Sequence, residues 1–386
     1  MNFSRRAFLA GMGLVGVSAL AGCGKPAPSR VSALPHQMVW TTYKAGTGTY
    51  NDVAALANLI TTETGARVRL MTGDSGIARI APLMSGIASY ARTGDEYYYA
   101  FEGNDEFCSE QWGPQPIRAI WSPPGGYGVL ARKDSNITKP ADLKGKRYPR
   151  LLASTSMNRK LEAILNLGGL TWDDVIPVET TYSAQAEALA SGHLDAMYQN
   201  IQGSNIQELN VRHPIQWIDL SGNPEDYEGW DYLAPMVRVN GLPNAVGAQP
   251  NELVNVMEYS IPLTTLAEQP AGEIESVLNT IIDNFENYRD ATPDMKAFAV
   301  DEILLEPMVV PFHEAAVKVL RERGRWKDVH QRQQDALLAR ESKMHEAWPT
   351  FWQKHGAYRP KESAAITKDW VTWKKENLPE LPGFDH

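Results

Sequence analysis

The chain reads as an α/β protein in which strands and helices alternate around mostly parallel sheets. Three observations lead there. Short apolar runs such as "QMVWTTY" and "ARVRLM" alternate with amphipathic stretches of helical period. Small, hydroxyl-bearing turns join strand to helix at "KAGTGTYN" and "TGDSGI". No internal repeat or low-complexity tract breaks the alternation beyond a short leash near the N-terminus.

The first residues set the compartment. "SRRAFLAG", Ser4 to Gly11, puts an Arg pair ahead of an apolar run, as twin-arginine export signals do. The run closes on "LAGC", Leu20 to Cys23, which is similar to the lipobox cut before an acylated cysteine in bacterial lipoproteins. The alternative is a transmembrane helix, but spanning takes roughly 20 apolar residues and this run is shorter. Residues 1–22 are expected to be a signal and 23–35, rich in Pro, Ser and Ala, a flexible linker lipidated at Cys23. The expected location is periplasmic, lipid-anchored to a bacterial membrane. No later segment is long and apolar enough to span one.

Without its signal the chain of 386 residues still has length for two ordinary domains, and 43% hydrophobic content supports their cores. A net charge of -9 argues against a nucleic-acid partner. With Cys23 acylated, Cys108 has no partner, so no disulfide framework is expected.

Along the chain, "QMVWTTY" is a strand, Tyr50 to Thr62 a helix, "ARVRLM" a strand and Ile77 to Ser85 a helix. Strands follow at Ile117 to Trp121 and Tyr127 to Lys133, split by "SPPGG". Strand Tyr148 to Leu152, helix Met157 to Leu167, strand Val175 to Glu179, helix Ala184 to Ser191 and strand Leu194 to Tyr198 continue the alternation. "NVMEYSIPLTT" returns to strand at Val254 to Pro262. Helices are expected at Ala271 to Tyr288, Pro293 to Leu305 and Glu314 to Gly324. From Asp328 the chain is helical up to Pro349 and then ends in a Pro-broken tail. Trp348, Trp352, Trp370 and Trp373 there form either a partner surface or staples to the body, and large aromatics usually serve burial.

Several motifs fail on inspection. Gly46 and Gly48 follow a strand, but Asn51 takes the third place of a dinucleotide fingerprint. "GDSG", Gly73 to Gly76, matches a serine-protease string, yet a helix follows at once and the double β-barrel that chemistry uses is not expected. His313-Glu314 begins like a zinc helix, but Val317 stands where the second histidine belongs. No catalytic set, metal site or cofactor is expected.

What survives is the set of turns themselves. "KAGTGTYN", "TGDSGI" and "LLASTSMN" (Leu151 to Asn158) each open a helix with small hydroxylic residues. Free N–H groups at helix starts bind carboxylate or phosphate without a fixed counter-charge, each contact contributing about 0.3–1 kcal/mol when exposed. One such turn alone is ordinary N-capping. Several in an α/β chain indicate a cleft at the carboxyl ends of the strands.

Those turns resemble the TAXI family, the extracytoplasmic solute receptors of one class of TRAP transporters. "AGTGTYNDVAALANLI" is similar to the family's first turn and helix, and "TGDSGIARIAPLMSG" to its second. "IRAIWSPPGGYGVLARKDSNITKPADLKGKRY" is similar to the entry into the second lobe, with "ADLKGKR" the most specific piece. "LGGLTWDDV", "ALASGHLDAMY" and "VPFHEAAVKVLRERGRW" follow in family order, so the resemblance runs from about Val39 to Trp326.

The resemblance implies a two-lobed periplasmic-binding-protein-like fold of type II, each lobe a mostly parallel sheet flanked by helices. Lobe I would be 36–122 plus 245–327 and lobe II 123–244, followed by a helical extension at 328–386. It implies capture of a small organic anion (a carboxylate, dicarboxylate or amino-acid-like solute) and delivery to a TRAP-type membrane permease, without catalysis. By correspondence Gly46, Thr47, Gly48, Thr49 and Tyr50 would line the first lobe's side with Ser75, and Ser154, Thr155 and Ser156 the second lobe's side. That last turn lacks the family's glycines.

Arg79 stands where Asn is expected, either clamping a ligand carboxylate or lying on a helix surface. "DEYYYAFEG" and Trp121 would be an aromatic wall for a bulkier ligand, or else core strand residues. The lobes would close about a hinge near Ser122–Gly126 and Gly241–Gly247. Two other readings stay open: an exported serine hydrolase using Ser75, and a membrane-tethered ligand sensor.

Overall fold

The computed structural model describes residues 34–355 and 363–382. The expected signal, Cys23 and nearly all of the linker lie outside the described residues.

The first lobe starts with β1 (Gln37–Thr42), which pairs in parallel with β2 (Arg67–Thr72) and β3 (Tyr90–Arg92). Trp40 lies opposite Leu70 on one side and Tyr90 on the other, and is wholly buried. Between β1 and β2 runs α1 (Gly48–Thr64), and α2 (Gly76–Met84) follows β2. Both begin on a capping hydroxyl: Thr47 Oγ1 accepts from Tyr50 N, and Ser75 Oγ from Ala78 N, each at 3.3 Å. Each satisfies one of the amides a helix start leaves unbonded. α1 stops at Gly65, whose left-handed φ of 76° suits a residue without Cβ. Next come α3 (Glu96–Glu102) and β4 (Ile117–Trp121). The segment "DEYYYAFEG" is thus a helix rather than a strand, its aromatics buried against the lobe I core.

The second lobe is entered through β5 (Pro124–Arg132). β6 (Arg147–Leu151), α4 (Thr155–Leu167), β7 (Ile176–Thr180), α5 (Gln185–Ala190) and β8 (Ala196–Asn200) follow. Then come α6 (Ser204–Arg212), β9 (Ile215–Trp217), α7 (Trp230–Leu233), β10 (Arg238–Leu242) and β11 (Val254–Ser260). Its main sheet has the order β10-β11-β5-β8, with β9 also on β5, and all these pairs are antiparallel. Parallel pairing in this lobe is confined to β6 and β7. The reason is β5, a long strand arriving from the first lobe and running against its neighbours. Along β5 side chains alternate between two cores, Val129 and Ala131 in one and Leu130 in the other, as a period of two requires.

The chain returns through β12 (Leu263–Leu266), which inserts antiparallel between β3 and β4. The first sheet therefore has the order β2-β1-β3-β12-β4, that of a type II two-lobed α/β protein. The return crossing corrects the boundary at 244/245 and the hinge near Gly241–Gly247. β10 and β11 stay in the second sheet, and the chain crosses back only at Ile261–Pro262. "NVMEYSIPLTT" is two strands, because Pro262 has no N–H to continue a ladder. The outgoing crossing, Ser122–Pro123, is also broken at a proline.

α8 (Ala271–Asp283), α9 (Phe285–Tyr288) and α10 (Glu314–Glu322) complete the first lobe. The helix expected from Pro293 to Leu305 is only a short 3-10 turn, Pro293–Phe298. α11 (Asp328–His355) runs on through Pro349, and α12 (Ser363–Asn377) folds back beside it. Both belong to the lobe I core, which takes in Leu337, Met344, Phe351, Ile366 and Trp370. The tryptophans act as staples: Trp370 is fully buried and its Nε1 donates to Glu102 O at 2.8 Å. Trp348, Trp352 and Trp373 pack partly buried on the same core. Cys108 is a free, buried thiol, and burial pushes it up to about 11. Among the described residues no helix is long and apolar enough to cross a membrane, and no group of side chains has the makings of a metal site.

Candidate functional site

Helix starts meet in pairs across the line between the lobes. α1 of the first lobe faces α6 of the second. Ser204 Oγ donates to Gly46 O at 3.2 Å and accepts from Asn51 Nδ2 at 3.4 Å. The approach is close at Gly48, where a Cβ would lie 3.4 Å from Asp294 Oδ2 and 3.7 Å from Gly203 Cα. Gly46 itself has φ 92°, a conformation that favours glycine.

The second pair is α2 and α4. Gly76 N donates to Ala153 O across the line at 3.2 Å. Between these two starts lies a protein carboxylate. Glu96 Oε1 accepts from Arg79 Nη2 at 2.6 Å and from Ser156 Oγ at 3.2 Å. The same side chain packs so closely on Gly76 that no Cβ would fit there. Arg79 is fully buried, spends its other amine on Gly73 O at 3.2 Å, and stacks 3.9 Å above the ring of Tyr43. Burial works against its charge, but Glu96, Tyr43 and Asp74 together outweigh this and raise its pKa. Beside it Asp95 pairs with Lys160 of α4, both buried, and Lys160 Nζ lies 4.7 Å over the ring of Tyr259. Burial raises the Asp95 carboxyl, with Lys160 opposing. Ser183 Oγ donates to Asp74 Oδ2 at 2.7 Å and adds a further crossing contact.

A tyrosine wall from both lobes surrounds these charges. Tyr43 packs against Tyr182 with centroids 5.6 Å apart, and Tyr127 against Tyr259 at 4.4 Å. Tyr198 and Tyr259 share a 2.8 Å hydroxyl contact. At the α1 end, burial and then the neighbouring Asp52 push Asp294 up to about 7. Several buried polar atoms near the seam have no protein partner: Glu96 Oε2, Asp95 Oδ1, Ser154 Oγ, Thr93 Oγ1 and Thr42 Oγ1. Buried polar groups are nearly always bonded, to protein or to ordered water.

The residues singled out in the sequence fall as follows. Gly46, Thr47, Gly48, Thr49 and Tyr50 form the start of α1, Ser75 that of α2, and Ser154, Thr155 and Ser156 that of α4. Arg79 is neither a surface residue nor open to solvent, since one of its amines holds Glu96 and the side chain is wholly buried. Trp121 is wholly buried in the lobe I core, apart from this group. Glu96, Asp95, Lys160 and the tyrosines carry no local sequence signal, because their partners lie tens of residues away.

Two α/β lobes, joined by two short crossings and meeting on opposed helix starts, define a solute-binding-protein fold. The chain belongs to the NMT1-like family, which matches residues 44–324. It is similar at low identity to several solved structures. One is the alkanesulfonate-binding protein of Xanthomonas axonopodis pv. citri bound to MOPS: 14% identity, 78% of this chain, 94% of that one, TM-score 0.42. Another is the periplasmic aliphatic sulphonate binding protein of Escherichia coli: 15% identity, 92% and 95% covered, TM-score 0.41. A third is an ancestral arginine-binding protein bound to arginine: 14% identity, 67% and 96% covered, TM-score 0.41.

Proposed function

We propose that this protein is an extracytoplasmic solute receptor, lipid-anchored through Cys23 after twin-arginine export. It takes a small organic anion between its lobes and hands it to a TRAP-type membrane permease, as a TAXI-like receptor. The residues proposed to line the ligand are the starts of α1, α2 and α4, from Gly46 to Tyr50, Ser75, and Ser154 to Ser156. No turnover is part of this reading.

One observation carries the choice of an acid. The gap between the starts of α2 and α4 already holds a carboxylate, that of Glu96, on Arg79 and Ser156. A site that binds its own carboxylate in this way has the donors, dipoles and guanidinium that an acid ligand needs. The ligand's carboxylate then takes the place of Glu96, which swings out as the lobes part and close again.

Thermal unfolding of the untethered chain against a panel of amino acids, dicarboxylates and keto acids tests this. A ligand at about 100 times its dissociation constant stabilises by about 2.7 kcal/mol. A flat response to every acid would count against the reading.

The ligand-sensor reading has one observation in its favour. α3 starts at the lobe contact with Asp95 and Glu96 and ends on Glu102, which Arg340 and Lys374 of the extension grip. A shift of Glu96 would reach the extension along one short helix.

A further inference from the structure

A cavity of about 760 Å³ lies under the C-terminal helices, walled by α3 and Met308 of the first lobe, Arg159 and Arg238 of the second, and α11 and α12. Its size is that of a pocket for a small organic molecule, about 300–1,000 Å³. Its charge runs against that of the chain: five lining side chains are Arg or Lys and two are Glu, in a protein of net charge -9. Asp105, which holds Arg159 at 2.6 Å, reduces the excess without reversing it. Much of the remaining lining is apolar, Val309, Val371 and Leu378 among it.

Gln333 and Tyr99 of the lining each carry a buried polar atom without a protein partner. Gln333 is 5% exposed; its Nε2 donates to Met308 O at 2.8 Å, while its Oε1 is unpartnered. Tyr99 is 2% exposed and its hydroxyl is likewise unpartnered. Leaving such groups buried and unbonded is costly, and a bound molecule would offset that cost. A phenol hydroxyl donates to an acid, and an amide oxygen accepts from an N–H or O–H.

We propose that this cavity is a second binding site, taking an organic acid with an apolar body and a hydrogen-bond donor. The acid group faces the basic wall, the body lies on Val371 and Leu378, and the donor reaches Gln333 Oε1. Because the walls come from both lobes and the extension, a molecule held there ties all three together. The site is distinct from the lobe contact at Glu96 and does not rest on the transport reading.

Calorimetric titration of the untethered full chain with indole-3-acetate and with tryptamine tests the proposal. The two probes share an indole and differ in the sign of the side-chain charge. Indole-3-acetate should bind at one site and tryptamine at least tenfold more weakly, a difference of about 1.4 kcal/mol. Val371→Trp, which puts an indole where the ligand's apolar body would lie, should abolish indole-3-acetate binding, and the exposed Lys375→Glu should weaken it about fivefold with folding unchanged. The small-acid panel run on Val371→Trp keeps the two sites apart. A response to the panel that persists while indole-3-acetate binding is lost separates this cavity from the lobe contact. A failed panel with indole-3-acetate binding lost in Val371→Trp would sink only the transport reading. No binding of indole-3-acetate, equal binding of tryptamine, or undiminished binding in both variants would overturn the proposal.

Discussion

Arg79 Nη2 lies 2.6 Å from Glu96 Oε1, and both side chains are sealed from solvent. Because Ser156 of the other lobe donates to the same oxygen, this ion pair is also a bridge across the cleft. Removing one partner of a buried pair typically costs about 3–5 kcal/mol, since the other charge is stranded. Arg79→Ala is therefore expected to lower stability by that order in urea unfolding. The double change Arg79→Met with Glu96→Leu should recover much of the loss. A surface arginine would show an effect within about 0.5 kcal/mol.

Asp294 titrates the α1 end of the cleft. Its folded pKa of about 7 lies above the ordinary carboxyl value, through burial and then through Asp52. The folded state thus holds a proton that the unfolded state has released, so this group costs stability as pH rises from about 4 through 7. Asp294→Asn should stabilise the protein by about 1–2 kcal/mol at pH 8, with the gain shrinking to nothing near pH 4. Thermal unfolding across that range checks the sign.

Ser75 decides between binding and hydrolysis. Its Oγ accepts from Ala78 N and caps α2. Ser75→Ala should cost about 0.5–2 kcal/mol through the lost cap. Release of nitrophenol from activated esters should stay at the buffer rate in both forms, whereas turnover that vanishes in the variant would establish a nucleophile.

The extension is held as part of the first lobe rather than as a tail. Trp370 is fully buried, and Glu102 receives Arg340 and Lys374, which hold its carboxyl at about 2 against the effect of burial. Trp370→Ala should destabilise by about 3–5 kcal/mol and expose α12 to protease. Cleavage at the wild-type rate would contradict this.

Much of this architecture is readable from local pattern. Strand and helix alternate where apolar period changes, and the hydroxyls of Thr47 and Ser75 cap α1 and α2 as short-range chemistry predicts. What escapes is non-local. The crossing at Pro262 cuts a run that reads as one strand, and the aromatic run at Tyr97 to Tyr99 folds as helix because its rings find burial on the core. Nothing around Arg79 announces Glu96, 17 residues on, and nothing around Glu96 announces Ser156, 60 residues on. Helix starts are evident in the sequence as donors, but the acid lying between two of them is not.

The most direct test is calorimetric titration of wild type and Glu96→Ala with formate and acetate. If the helix starts and Arg79 grip a ligand's acid where Glu96 now lies, deleting the internal competitor should tighten binding of these simple acids at least tenfold, about 1.4 kcal/mol. Equal or weaker binding by a folded Glu96→Ala would contradict the account.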